Sequence, residues 1–211
     1  MNAVKTSLDR GVSAADTAVS AGQAVSDLLI DMKEKAVAAT DASLATASRD
    51  ALNADFEALR DQITTIVDNA EFDGVNLLDG SISQIAVLAN DDGSTIVISD
   101  QDLTVSNGLA ITSHDLSTAT SSTATLSAID AAIETVNSRL AALGTDSKTL
   151  DIHKTFVGQL QDTLKTGVGN LVDADLAEES ARLQSLQIKQ QLGTRALSIA
   201  NQGPQSILGL F

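Results

Sequence analysis

Apolar residues recur at a helical period through the first third of the chain. Val12, Ala15, Val19, Val25, Leu28, Leu29 and Met32 are spaced to share one face of a helix. Residues 2–40, alanine-rich and free of proline, are therefore predicted as one long amphipathic helix. A second helix is predicted in ALNADFEALRDQITTIVDNA. There Leu52, Phe56, Leu59, Ile63, Ile66 and Val67 advance mostly by threes and fours, and Arg49, Asp50, Asp55, Glu57, Arg60 and Asp61 lie mostly opposite. Ser48 or Thr46 is the expected N-cap, because a side-chain hydroxyl there can accept from an unpaired backbone N–H of the first turn.

The period then changes. EFDGVNLLDGS carries two Asp-Gly pairs, which favour turns that need positive φ. The runs QIAVLA and STIVIS flank Asn90, Asp91, Asp92 and Gly93, and their alternation across a glycine-containing link predicts a β-hairpin. DLTV is expected to add a third short strand, and the Ser/Thr-dense residues 113–127 to form a solvated connection. Helical spacing resumes at Leu126, Ile129, Ile133, Val136, Leu140 and Leu143, then runs past Gly144 through Leu150, Phe156, Leu160, Leu164 and Val168. Gly167 and Gly169 should weaken that helix. VDADLAEESARL should restart it, with acidic residues in the first turns where the macrodipole favours them.

The fold class that follows is mainly α: an elongated, coiled-coil-like rod of long antiparallel helices with a small β-hairpin region and a C-terminal assembly helix. The expected segments are N-terminal rod helices over residues 1–72, a hairpin region over 73–122, a C-terminal rod helix over 123–168, and a terminal helix over 169–211.

The end of the chain is the most apolar part and the least charged. From Leu183 onward only Lys189 and Arg195 carry charge, while Leu183, Leu186, Ile188, Leu192, Leu197, Ile199, Ile207, Leu208 and Leu210 recur. They fall on more than one stripe, with Leu176, Leu183, Leu186 and Leu197 on one and Ala177, Ala181, Ile188, Leu192 and Ile199 on another. A helix that is apolar on several sides is surrounded when folded. It either folds back on its own rod or packs against other chains, and the width of the apolar surface favours other chains.

Composition narrows the chemistry. Of 211 residues 43% are hydrophobic, yet there are only four Phe and neither Trp nor Tyr, which suits closely packed helices better than an aromatic-rich enzyme core. A net charge of −15 argues against nucleic-acid binding, which depends on clustered Lys and Arg. The absence of cysteine excludes disulfides and thiolate catalysis. No stretch approaches the roughly 18 apolar residues of a membrane-spanning helix, and MNAVKTSLDRG lacks the apolar core of a cleaved secretory signal. His114 and His153 lack metal-ligand spacing and are expected at the surface. Asp73, Asp91 and Asp92 lack the spacing of a calcium loop and read as turn residues. There is neither a nucleophile elbow nor a phosphate-binding glycine loop, so neither catalysis nor a cofactor is expected.

The residues of the tail also carry a resemblance. QQLGTRALSIANQGPQSILGLF resembles the C-terminal end of bacterial flagellins, with a Q-Q-x-G-T helix, an A-N-Q-x-P-Q turn and a closing leucine-phenylalanine segment. LVDADLAEESARLQSLQI resembles the approach to that helix, and RDALNADFEALRDQITTIVDNAEFDGVNLLDG the N-terminal half of the flagellin rod, including its F-D/N-G-x-x-L-L turn. The resemblance covers nearly the whole chain, but it implies a longer N-terminus. By that resemblance MNAVKTSLDRG is expected to enter midway through the first rod segment, without the terminal helix that would pair with the C-terminal one, in either a trimmed chain or a short paralogue, and the hairpin is expected where many flagellins carry large outer domains.

Several expectations follow from the resemblance. The chain is expected to be a filament subunit for motility, exported unfolded through the flagellar type III channel and polymerised extracellularly with other copies. Expected partners are an export chaperone and the filament cap and hook-junction proteins, with neither nucleic acid nor membrane. Leu183, Leu186, Ile188, Leu192, Leu197 and Ile199 are the expected assembly and chaperone-binding residues. The resemblance also places an innate-receptor patch at LLIDMKEKAVAA. There Asp31 stands where detected flagellins carry Arg and Lys35 where they carry Leu, while Lys33 and Glu34 keep their charge types. The alternatives are a hook–filament junction protein, which shares related terminal helices, or a helical adaptor or signalling coiled coil.

Overall fold

A computed structural model of the protein describes the backbone of residues 1–208, and side chains through residue 200 apart from residue 174. Its order is α1 (Asn2–Ala39), α2 (Thr46–Asp68), β1 (Glu71–Phe72), β2 (Val75–Asn76), β3 (Gln84–Leu88), β4 (Thr95–Ser99) and α3 (Ala119–Leu208). It divides into two units, residues 1–158 and residues 159–211.

The first unit holds the core. The helical spacing of α1 puts Val4, Leu8, Ala15, Ala18, Val25, Leu29, Met32 and Ala36 on one buried face. Phe56, Ile63 and Val67 of α2 and Ile129, Val136, Leu143 and Leu150 of α3 meet it. α3 runs antiparallel to α1: Asp130 pairs with Lys33 and Ser147 with Asp16, while Lys154 pairs with Asp9. Small residues let α1 approach α3 and the β3 strand closely. A Cβ on Gly22 would lie 2.7 Å from Leu140 Cδ2, and one on Gly11 would lie 2.6 Å from Val87 Cγ2.

The α1–α2 turn is closed by Arg49. Its Nη1 donates to the Ala39 carbonyl at 2.7 Å, an acceptor left open at the end of α1, and its Nη2 to the Asp41 carbonyl at 2.8 Å in the connecting turn. Arg49 is only 7% exposed, contrary to its expected place on the polar face. An arginine can be buried here because backbone carbonyls pair its fixed donor fork. The N-cap also differs from the expectation. Residue 45, an alanine, caps α2 with no side-chain bond, so neither Thr46 nor Ser48 plays that part.

β1 and β2 pair antiparallel, with Phe72 opposite Val75, around Asp73 (φ 52°) and Gly74 (φ 80°). Positive φ at both turn positions is the geometry that Asp-Gly supplies at low cost. Just beyond, the Asn76 amide donates to the Val67 carbonyl at 2.7 Å and accepts from Leu78 N at 2.8 Å. The end of α2 is thereby tied to the buried pair Leu77 and Leu78.

β3 and β4 form the expected hairpin, in register from Gln84 opposite Ser99 to Leu88 opposite Thr95. Val87 and Ile98 point into the core. Two helices hold it: Leu88 N donates to Ser7 Oγ at 3.0 Å, and His153 Nε2 meets the Ala89 carbonyl at 2.7 Å. A carbonyl can only accept, so that ring nitrogen carries the proton.

Four other expectations fail. DLTV forms no strand; Leu103 N is instead bonded to the Leu78 carbonyl at 2.7 Å, and Thr104 N and Oγ1 both donate to Asp102 Oδ1. That local side-chain bonding competes with a strand ladder. Residues 113–127 are not a solvated connection. α3 begins at Ala119, the Thr118 and Ser121 side chains bond across its first turn, and Leu116, Ser122 and Thr125 are buried. The Thr125 hydroxyl donates to the Asp115 carbonyl at 2.8 Å, and Leu116 N donates to Asn53 Oδ1 at 2.7 Å. Ser and Thr are thus used as caps and buried donors. Finally, α3 passes Gly144, Gly167 and Gly169 without a break. A helical glycine costs only about 1 kcal/mol relative to alanine, which its neighbours can outweigh. Helix also continues through the expected A-N-Q-x-P-Q turn to Leu208. Pro204 removes a single donor there, and the Ala200 backbone lies on exposed helix where water can take the bond.

Candidate functional site

The second unit is helix α3 from Gln159 onward. Beyond Gln161 every described side chain is exposed, and Val157 is the last buried residue among those described. Leu183, Leu186, Ile188, Leu192, Leu197 and Ile199 are between 52% and 71% exposed, so both apolar stripes are uncovered. Within this stretch the polar contacts are local, such as Arg182 with Glu179 and Thr194 Oγ1 donating to the Gln191 carbonyl. Ile207, Leu208, Leu210 and Phe211 lie outside the described side chains.

The uncovered surface also starts earlier than expected. Ile152, Phe156, Leu160, Leu164, Val168, Leu171 and Val172 are exposed as well, although Phe156, Leu160, Leu164 and Val168 have the spacing of a buried rod seam. Periodicity identifies an apolar face but not what covers it.

Asp31, Lys33, Glu34 and Lys35 are brought together near the end of α1, and two of them are engaged within the chain. Lys33 Nζ pairs with Asp130 of α3 at 2.7 Å, and Lys35 Nζ with Asp55 of α2 at 2.9 Å. The Asp55 hydrogen bond, and then its charge, hold the Lys35 ammonium above its ordinary pKa. Asp31 and Glu34 are exposed.

The two histidines are half-buried rather than superficial. His153 holds the hairpin, and the His114 backbone carbonyl accepts from Arg60 at 3.0 Å. Among the described residues no three His, Asp or Glu side chains gather closely enough to hold a metal ion, and no helix is long and apolar enough to cross a membrane. Sequence reasoning missed Arg49, Asn76, Asn53 and Arg60, which bond backbone groups eight to 63 positions away, Asn76 also pairing with the nearby Leu78 N. Only Asn76, between a turn and two leucines, carried a local hint.

A packed helical unit together with an uncovered, apolar helix defines a subunit built to associate with other chains. Residues 1–83 match the model of the bacterial flagellin N-terminal helical region, and residues 126–211 that of the bacterial flagellin C-terminal helical region. The chain is 56% identical to flagellin FljM and 54% identical to flagellin FljK of Caulobacter vibrioides, covering all of itself and 77% of each relative. It is 36% identical to a flagellin of Brucella melitensis, covering 78% of that protein. Its fold resembles the crystal structure of Bacillus cereus flagellin, with a TM-score of 0.65 at 21% identity over 72% of this chain and 88% of that one. The chain belongs to the bacterial flagellin family. It is a structural subunit of the extracellular flagellar filament, polymerises with other flagellin subunits and serves motility.

Proposed function

We propose that Leu183, Leu186, Ile188, Leu192, Leu197 and Ile199 are the assembly residues of this flagellin, covered by neighbouring subunits in the filament and by an export chaperone before it. The observation that carries this reading is that all six are exposed and lie on more than one side of their helix. Burying a leucine or isoleucine against a neighbour contributes about 1.5–3 kcal/mol. Six of them can offset the cost of ordering an isolated helix, which by itself is only marginally stable. A chaperone would offer an apolar groove to the same face. It would hold the subunit in the cytoplasm for type III export, with cap and hook-junction proteins as neighbours at the filament ends. Segments over residues 1–72, 73–122, 123–168 and 169–211 remain the working division of labour, with residues 169–211 the inner helix.

Amide exchange tests this. Exchange should be fast from Leu183 onward in the free protein and slowed when a cognate chaperone is added. Strong protection in the isolated protein would mean that the helix covers itself. Leu186→Asp with Leu192→Asp should abolish filament growth seen by electron microscopy while leaving thermal unfolding of the first unit unchanged.

For the patch at Asp31, Lys33, Glu34 and Lys35, the reading is weak engagement of an innate receptor. The support is that Lys33 and Lys35 are held by Asp130 and Asp55, and that Asp31 presents a negative charge where like-charge repulsion costs affinity. A reporter-cell titration should show little activation, partly restored by Asp31→Arg with Lys35→Leu. Full activation by the unchanged protein would overturn it.

A further inference from the structure

We propose that Asn107 is a site of spontaneous deamidation, a slow covalent change that the fold itself cannot avoid. Of nine asparagines in the sequence, only Asn107 precedes a glycine. It is exposed, lies in the turn between β4 and α3, and its side-chain amide has no hydrogen-bond partner among the described residues. The residue after it has to be glycine. A Cβ on Gly108 would lie 2.0 Å from the Asp102 carbonyl oxygen and 2.6 Å from its carbon, a backbone contact that no rotamer relieves.

Glycine also carries no side chain to shield its own nitrogen from the Asn107 side chain. The Gly108 N–H is restrained only by a long bond, 3.3 Å to Thr104 Oγ1, an oxygen that also accepts from Asn107 N at 3.3 Å and donates to Asp102 Oδ1 at 2.6 Å. Bonds of that length restrain a donor weakly.

The step is balanced by water alone. The Gly108 nitrogen loses its proton and attacks Asn107 Cγ, forming a C–N bond that closes a succinimide ring, and the Cγ–Nδ2 bond breaks to release ammonia. Water then adds to one of the two imide carbonyls and breaks its bond to nitrogen. The result is either aspartate at position 107 or isoaspartate, in which Cγ has entered the backbone. Both products add a carboxylate. Isoaspartate also lengthens the backbone inside a loop whose register is set by Leu109 N to the Thr104 carbonyl at 2.8 Å and Ile111 N to the Val105 carbonyl at 2.9 Å, and whose Leu109 and Ile111 are buried. Older subunits therefore carry a looser, more acidic loop here.

The test is to age the full-length protein in mildly alkaline buffer, natively and in urea, and to follow every asparagine by peptide mass spectrometry with enzymatic detection of isoaspartate. Asn107 should be modified several-fold faster than any other asparagine in the native protein, at a rate close to that in urea. Thr104→Ala should raise the native rate, and Asn107→Gln should abolish the isoaspartate signal. Asn107 intact in the native protein but lost in urea would show that the fold protects it and overturn the proposal, as would faster modification elsewhere. If Thr104→Ala fails to fold, the native-against-urea comparison on the unchanged protein still decides.

Discussion

Arg49 Nη1 donates to the carbonyl of Ala39 at 2.7 Å, so the first turn of α2 caps the last turn of α1. The side chain is almost wholly buried and makes a second bond to the Asp41 carbonyl. Arg49→Met should keep most of the apolar contact but leave the Ala39 carbonyl unpaired and the Asp41 carbonyl with only its bond from Leu44 N, lowering stability by about 1–3 kcal/mol. Urea unfolding followed by circular dichroism measures this; an unchanged midpoint would mean that water replaces the guanidinium without loss.

Gly11 and Gly22 should respond differently to alanine. At Gly11 the new methyl meets Val87 Cγ2 at 2.6 Å and Leu150 Cδ1 at 3.2 Å. Val87 is β-branched and buried, so it cannot turn aside, and Gly11→Ala should cost about 1–3 kcal/mol. At Gly22 the close atom is the end of the flexible Leu140, which is only half-buried. The helix-propensity gain of about 1 kcal/mol should then roughly cancel the crowding. Thermal melts of the two variants should separate, with Gly11→Ala the lower.

Asp100 gives the hairpin base a dependence on pH. Burial, then the charges of Asp102 and Asp79, push its carboxyl up to about 6, against a bond from the Gly80 backbone and the charge of Arg139. Its pKa is higher folded than unfolded, so its favourable contribution is complete below the ordinary value of 3.8 and is lost as pH rises through about 6. The group is half-exposed, so after discounting for solvent screening the loss is about 1 kcal/mol. Asp100→Asn should remove this slope. Parallel melts of the two proteins across that window check it, and identical slopes would contradict it.

Replacing residues 113–127 with a Gly/Ser linker should be harmful. It would remove buried Leu116, the Thr125 bond to Asp115 and the first turns of α3. Each glycine introduced into the helix adds about 1 kcal/mol of cost. The linker variant should lose cooperative unfolding of the first unit, and a native-like melt would show that these contacts contribute little.

Asn76 links α2 to the segment after the first hairpin through one bond back to the Val67 carbonyl and one local bond from Leu78 N. Asn76→Leu should leave the Leu78 N–H buried and unpaired and the Val67 carbonyl with only its backbone bond from Ala70 N, at a cost of about 1–3 kcal/mol. Faster amide exchange at Leu78 and at the end of α2 is the direct readout; unchanged protection there would rule the link out.

Much of this flagellin was determined by the sequence alone, because local periodicity dictates local structure. The spacing of Val12 to Met32 and of Leu52 to Val67 sets two helices. Alternation around residues 90–93 sets a hairpin, and the Asp-Gly pairs set turns of positive φ. The apolar residues from Leu183 to Ile199 already marked a surface that needs a partner. Tertiary structure decided what depends on distant neighbours. Arg49 is buried because carbonyls at the end of α1 receive it, and Ser122 and Thr125 are interior because α3 starts at Ala119. Phe156 and Leu160 stand four positions apart, as the buried Ala132 and Val136 do, yet they are exposed. Spacing along a helix fixes which side chains share a face, and only the presence of another surface within reach determines whether that face is removed from water.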